Sequence, residues 1–167
     1  MAVPGLKVKK RLALDTNVLF DFAAKHDFAL TLLEICQERN YSLQVPPTVV
    51  QELTHAALNQ GNPLALTALS QLRGWGLEPF DLVSVGHGIA EQFVKRLHER
   101  ILLPDSESND GFVLAETSLG EIPVLVTSDR HLLDIDPEEL RVCFEDSDLR
   151  PVHVVHPRRF LAAFGRR

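Results

Sequence analysis

The sequence predicts an α/β fold, and three observations carry that expectation. Strand-like and helix-like segments alternate along the chain, the signature of βα units. Two short apolar runs more than 100 residues apart, Arg-Leu-Ala-Leu-Asp at 11–15 and Pro-Val-Leu-Val-Thr-Ser-Asp at 123–129, both stop at an acid. A buried strand with a carboxylate at its C-terminal end reads this way. And 167 residues with 45 % hydrophobic content suffice for a single domain, 1–167, with a core of its own. If both runs are strands of one parallel sheet, Asp15 and Asp129 meet in the crevice where open α/β sheets put their ligands. Neighbouring carboxylates raise each other's pKa, and a fold that gathers them holds a cation between them.

The elements follow in order. Leu12–Asp15 is the first strand. Asn17–Lys25 and Phe28–Arg39 are helical, the second with Phe28, Leu32, Ile35 and Cys36 at helical spacing. Tyr41–Val45 alternates as a strand does and ends at Pro46-Pro47. A helix starts at Thr48, where Thr48 and Gln51 match a capping box. Val49, Leu53 and Ala57 form its apolar face, and Glu52, His55 and Asn59 lie on another. Pro63–Leu72 is a helix, Gly74-Trp75-Gly76 a turn with Trp75 as a packing residue, and Leu77–Val85 an extended edge strand. Gly88–Leu103 is a long amphipathic helix closed by Pro104. Asp105–Asn109 is a polar loop, and Asp110–Leu119 a helix stopped by Gly120. Pro123–Thr127 is the second acid-tipped strand. Arg141–Glu145 and Pro151–Val155 read as late strands, and Pro157–Phe164 as a final helix with proline in its first turn.

Charge and composition narrow the function. The net charge is −6, unevenly spread. Residues 134–148 hold seven acids against Arg141, whereas residues 149–167 hold five arginines and no acid. With Lys7–Arg11 and Lys95–Arg100, the bases form three clusters, and clustered bases bind phosphates even on an acidic protein. Lys95, Arg96, Arg158 and Arg159 are the candidates for holding a nucleic-acid backbone. No apolar run approaches the ~18 residues of a membrane span. The basic N-terminal residues are followed by no apolar segment of a signal peptide. Cys36 and Cys143 read as reduced core residues of a cytoplasmic protein.

Two more acids fall where the crevice needs them: Glu52 in the first turns of the Thr48 helix, and Asp110 at the opening of the helix before Pro123. Around these acids the chain resembles the PIN-domain ribonucleases, in particular the toxins of toxin–antitoxin pairs. The resemblance rests on Leu-Asp-Thr-Asn-Val-Leu at 14–19, Pro-x-x-Val-x-x-Glu-Leu at 47–53, Asn-Asp-Gly-Phe-Val-Leu-Ala-Glu at 109–116 and Leu-Val-Thr-Ser-Asp-Arg-His-Leu at 125–132. Val-His-Val-Val-His-Pro-Arg-Arg-Phe-Leu at 152–161 resembles the family's closing strand and helix. The resemblance implies a three-layer α/β/α arrangement with a central parallel sheet. It also implies an acidic pocket that holds one or two Mg²⁺ or Mn²⁺ ions and cuts single-stranded RNA. Residue by residue, Asp15, Glu52, Asp110 and Asp129 would be the catalytic and metal-holding acids. Asn17 and Ser128 would be supporting polar groups that orient ligands or water. An antitoxin protein and a homodimer follow from the habits of the family alone. The chain is longer than the compact toxins, with the extra length in Pro63–Val85 and before Pro151.

The residues speak to the same chemistry without the family. Mg²⁺ and Mn²⁺ take oxygen ligands, and carboxylates with small polar groups are the set available. His153 and His156 suggest zinc less well, because residues three apart on a strand face opposite sides and no cysteine pair joins them. His131, two residues past Asp129, reads as a loop histidine rather than as a phosphate contact. A phosphatase with an aspartyl nucleophile needs an acid where Asn17 stands. A receiver-like module needs a phosphoacceptor Asp ending a middle strand and a Lys where Arg130 stands. A PIN-like domain that binds RNA or protein without catalysis is the alternative, and all four acids are present to argue against it.

Overall fold

A computed structural model describes residues 10–165; Lys7, Lys9, Arg166 and Arg167 of the terminal basic clusters lie outside the described residues. Five parallel strands form one sheet in the order β3-β2-β1-β4-β5, with helices flanking it. The central strand β1 (Lys10–Leu14) buries Leu12, Ala13 and Leu14 in succession. That unalternated burial marks a strand covered on both faces. On one side it pairs with β2 (Tyr41–Val45), which pairs with the short edge strand β3 (Leu77–Pro79). On the other it pairs with β4 (Val124–Val126), which pairs with β5 (His153–Val155).

The helices between strands are α1 (Thr16–Ala23), α2 (Asp27–Glu38), α3 (Pro47–Leu58), α4 (Pro63–Gln71), α5 (Ser84–Glu99) and α6 (Ser108–Leu119). They continue with α7 (Arg130–Leu133), α8 (Pro137–Asp146) and α9 (Pro157–Ala162). Local chemistry sets their ends. Asn62 caps α4 through the amides of Leu64 and Ala65, with Pro63 in the first turn. Asn40, at φ 59°, follows α2 in the left-handed conformation that asparagine tolerates. Gly111 lets α6 approach α5 closely, since a Cβ there would lie 3.1 Å from Val94 and 3.2 Å from Leu97. Phe93 stacks on Phe144 at 4.6 Å and ties α5 to α8. The buried apolar residues form one connected core, with Phe22, Phe93 and Phe144 among its largest members.

Several sequence expectations give way. Arg141–Glu145 is not a strand but the second half of α8. Asp136 caps that helix through the amides of Glu138 and Glu139, Pro137 starts it, and Leu140, Cys143 and Phe144 form its buried stripe. Helical start signals and 3.6-residue spacing outweigh a short run of strand-like residues. The extended segment Leu77–Val85 shrinks to β3, because α5 already starts at Ser84. The polar stretch after Pro104 contains a 3-10 turn at Asp105–Glu107, and Asn109 already belongs to α6. Asp15 lies one residue beyond β1. The capping box of Thr48 and Gln51 does not form: Thr48 bonds to Glu116 across the fold instead. Trp75 packs edge-on against Phe22 at 5.6 Å, as a packing residue should. Cys36 and Cys143 are buried and unpaired with each other. Among the described residues no helix is long and apolar enough to cross a membrane.

Candidate metal centre

The acids come together at the C-terminal ends of β1 and β4. Asp15 caps α1: its Oδ1 accepts the Thr16 amide at 2.8 Å, and its own N–H donates to the Val126 carbonyl at 3.1 Å. The second bond ties it directly to β4. Its Oδ2 accepts the Thr127 hydroxyl at 2.7 Å and the Asn17 amide at 3.4 Å. Asn17 also reaches the β4 side, where its Oδ1 accepts the Ser128 N–H at 3.0 Å and its Nδ2 lies 3.2 Å from the Thr127 hydroxyl. Asp129 stands on the same turn, its N–H donating to Thr127 and its carboxylate capping α7 through the His131 amide. Thr127 is therefore the joint of the site, and sequence reasoning passes over it as the end of a strand. The available signal is a hydroxyl residue two positions before a strand-end acid.

Asp110 enters from the first turn of α6. One oxygen from each of Asp15, Asp110 and Asp129 can be chosen so that all three lie within 4.8 Å of one another. Asp110 Oδ2 is shut off from solvent and has no hydrogen-bond partner among the described residues. Burial pushes its pKa up to about 9, and the charges of Asp129 and Asp15 add to the rise. Asp15, 3 % exposed, is raised by burial too, against the pull of its Thr127 and Thr16 bonds. Three carboxylates crowded this closely, one with an orphaned buried oxygen, fit a hard cation, which would satisfy that oxygen and cancel the repulsion.

Glu52 stands beside this trio and outside it. Its Oε1 accepts the Thr16 hydroxyl at 2.9 Å, and the nearby Asn109 side chain pulls its pKa down. Burial raises its pKa, with a smaller contribution from the charge of Asp15. So Asp15, Asp110 and Asp129 form one cluster, Asn17 and Ser128 join its two sides, and Glu52 flanks it. A cavity of about 730 Å³ lies at the opposite end of the sheet, lined by residues such as Lys10, Tyr41 and Phe160.

The four candidate bases are scattered. On α5, Lys95 lies 3.9 Å from Glu99 and Arg96 donates to Ser147 at 2.8 Å. On α9, Arg158 sits over the Phe28 ring at 5.4 Å, while Arg159 lines the cavity at the far end of the sheet. The structure brings neither pair into the acid cluster. His131 lies 3.6 Å from Glu107. His153 and His156 diverge: His153 begins β5, while His156 caps α9 through the Arg158 amide.

Solved structures share this architecture. VapBC2 from Rickettsia felis bound to a promoter DNA fragment is similar over 87 % of this chain and 98 % of its own, with a TM-score of 0.64 and 16 % identity. DNA-bound VapBC from Salmonella typhimurium is similar over 89 % and 98 %, with a TM-score of 0.61 and 15 % identity. FitAcB from Neisseria gonorrhoeae is similar over 88 % and 98 %, with a TM-score of 0.51 and 16 % identity. At such identities the likeness is one of fold. No curated protein sequence matches the chain. The sequence pattern of the PIN domain matches residues 12–137, which takes in all four acids and the joint at Thr127, and the chain belongs to the PIN domain family.

Proposed function

We propose that the protein is an endoribonuclease that cuts single-stranded RNA with Mg²⁺ or Mn²⁺ held by Asp15, Asp110 and Asp129. The observation that carries the reading is the buried, partnerless Oδ2 of Asp110 facing two further carboxylates. An all-oxygen donor set of this size suits one or two hard divalent ions. Such an ion supplies neutralisation of charge on a phosphate under attack and a water-derived nucleophile at neutral pH. The chain's own groups do the rest. Thr127, Thr16 and Asn17 fix the Asp15 carboxylate, so it needs no rearrangement when the ion arrives. Thr16 orients Glu52 beside the trio, where its carboxylate is placed to accept a proton from an attacking water.

The likeness to VapBC and FitAcB complexes supports a further part of the reading: the chain acts as the toxin of a pair, held in check by an antitoxin protein. The decisive test is cleavage of a labelled single-stranded RNA by the purified protein in Mn²⁺ and in chelator. Cleavage should require the metal, and Asp15→Asn should lose about a hundredfold or more in rate while keeping its far-UV circular dichroism. An Asp15→Asn protein as active as wild type would overturn the assignment.

A further inference from the structure

We propose that Glu116 is a positioning residue for Glu52: it pins α3 to α6 so that the Glu52 carboxylate is held at the acid pocket. The inference rests on the nuclease reading above. Glu116 is 4 % exposed and lies in an otherwise apolar or small stretch of α6 with Val113, Leu114 and Ala115. A carboxylate this deep is costly unless both oxygens are bonded. Both are, and to a single residue. Oε1 accepts the Thr48 N–H at 2.9 Å and Oε2 accepts the Thr48 hydroxyl at 2.6 Å.

The start of α3 explains why that bond exists. Pro46 offers no side chain to cap the helix, and Pro47 in its first turn has no N–H. The Thr48 amide is then a donor without an intrahelical acceptor. A residue 68 positions away supplies the cap that the local sequence omits. Glu52 follows Thr48 by one turn on α3, and its carboxylate lies near enough to Asn109, two turns before Glu116 on α6, for that side chain to lower its pKa. The contact has one polar pin, Thr48–Glu116, and Glu52 faces Asn109 further along, so the two helices run antiparallel past each other. Asp110 follows Asn109 directly, and Gly111 seats this turn of α6 tightly on α5. Helix α6 is the fixed reference, and Glu116 passes that reference to the helix carrying Glu52.

The test is a double-mutant cycle on wild type, Glu116→Ala, Glu52→Gln and the double variant, read by RNA cleavage and by calorimetric titration with Mn²⁺. Glu116→Ala should lower kcat by roughly tenfold to a hundredfold and also weaken Mn²⁺ binding, because a displaced Glu52 no longer adds its charge beside Asp15 and Asp129, with KM for RNA unchanged. In the Glu52→Gln background the same change should add nothing, because its effect runs through Glu52. Glu116→Gln should restore most of the activity, since an amide can both accept the Thr48 N–H and donate to the Thr48 hydroxyl. If Glu116→Ala does not fold, Thr48→Val against Thr48→Ser makes the same comparison, with loss expected only in the valine variant. Multiplicative losses in the double variant, or wild-type metal binding and kcat in Glu116→Ala, would overturn the proposal. A wild-type protein that binds Mn²⁺ but cuts no RNA overturns the nuclease reading alone, and the calorimetric cycle then decides the role of Glu116.

Discussion

The acids of α8 and the acids at the strand ends are the same side chains held in opposite electrostatic states. On α8, Arg141 bonds to both Glu138 and Glu145, and Arg100 bonds to Asp146. These groups are exposed, and the Arg141 bond holds the Glu138 carboxyl below its ordinary range. At the strand ends no ion pair reaches these acids among the described residues, and burial holds Asp15, Glu52 and Asp110 above theirs. The difference is one of freedom. A carboxylate on a solvated helix turns to find a base four residues away. Asp15 and Asp129 are tethered by backbone and hydroxyl bonds that fix where their charge points. The fold holds repulsion at one place and lets it relax at another.

Three measurements put that contrast at risk. The largest effect concerns metal and pH. In chelator the raised folded-state values mean that the native protein binds more protons than the unfolded chain, so stability should fall as pH climbs. The fall starts near the unfolded value of about 4 and runs up to the Asp110 value of about 9. Mn²⁺ at a hundredfold excess over Kd should restore about 2.7 kcal/mol, or about 5–10 °C in Tm for a chain of this size. Asp110→Asn should raise the Tm in chelator, flatten the pH dependence and weaken the Mn²⁺ response. Its amide gives the orphaned position a donor toward Asp129. Melting curves of both proteins across pH, with and without Mn²⁺, decide it. A wild type indifferent to Mn²⁺ and a variant no more stable in chelator would show that the strand-end acids do not share a site.

The intermediate effect concerns RNA binding. Arg158 stands at the start of α9, the helix that leaves the C-terminal end of β5, and has no acidic partner among the described ion pairs. Arg158→Ala should flatten the salt dependence of RNA binding by about 0.7 in log–log slope for each phosphate the side chain neutralises. Lys95→Ala and Arg96→Ala should leave that slope unchanged, since those side chains already have partners on the protein. Binding isotherms in chelator across a salt series measure this apart from cleavage. The smallest effect lies on α8. Arg141→Ala should lower Tm by a few degrees at most, about 4 °C or less, as exposed ion pairs do, and the shift should vanish near 1 M salt, where the screening length falls to about 3 Å.

What is legible in the sequence follows from which interactions are local. The strands beside the site announce themselves, because Leu12–Leu14 and Leu125–Val126 are short apolar runs buried on both faces. Three of the acids sit at sequence-marked ends: Asp15 and Asp129 just past strands, Asp110 in the first turn of a helix. What stays hidden is held by long-range partners. Gln51 offers Thr48 a local capping bond, but Glu116 captures both Thr48 donors, and nothing near Thr48 announces it. Thr127 reads as one more strand residue until Asp15 is placed against it. The strand reading of α8 fails for another cause: Val142, Cys143 and Phe144 look strand-like by type, and the start signals at Asp136 and Pro137 outweigh them. Motif spacing makes Glu52 a member of the cluster, and in the structure it lies to one side, bonded to Thr16.

The bond from Thr127 to Asp15 spans 112 residues, and that span governs the birth of the molecule. A ribosome releases chain at about 5–20 residues per second, so Asp15 emerges on the order of ten seconds before its partner exists. Strand β1 must wait between its two neighbours until β4 arrives to take its second edge. A nascent chain that stops short of Val124 carries Asp15, Glu52 and Asp110, yet nothing joins the first to the last. The cluster of Asp15, Asp110 and Asp129 therefore comes together only after β4 has been made.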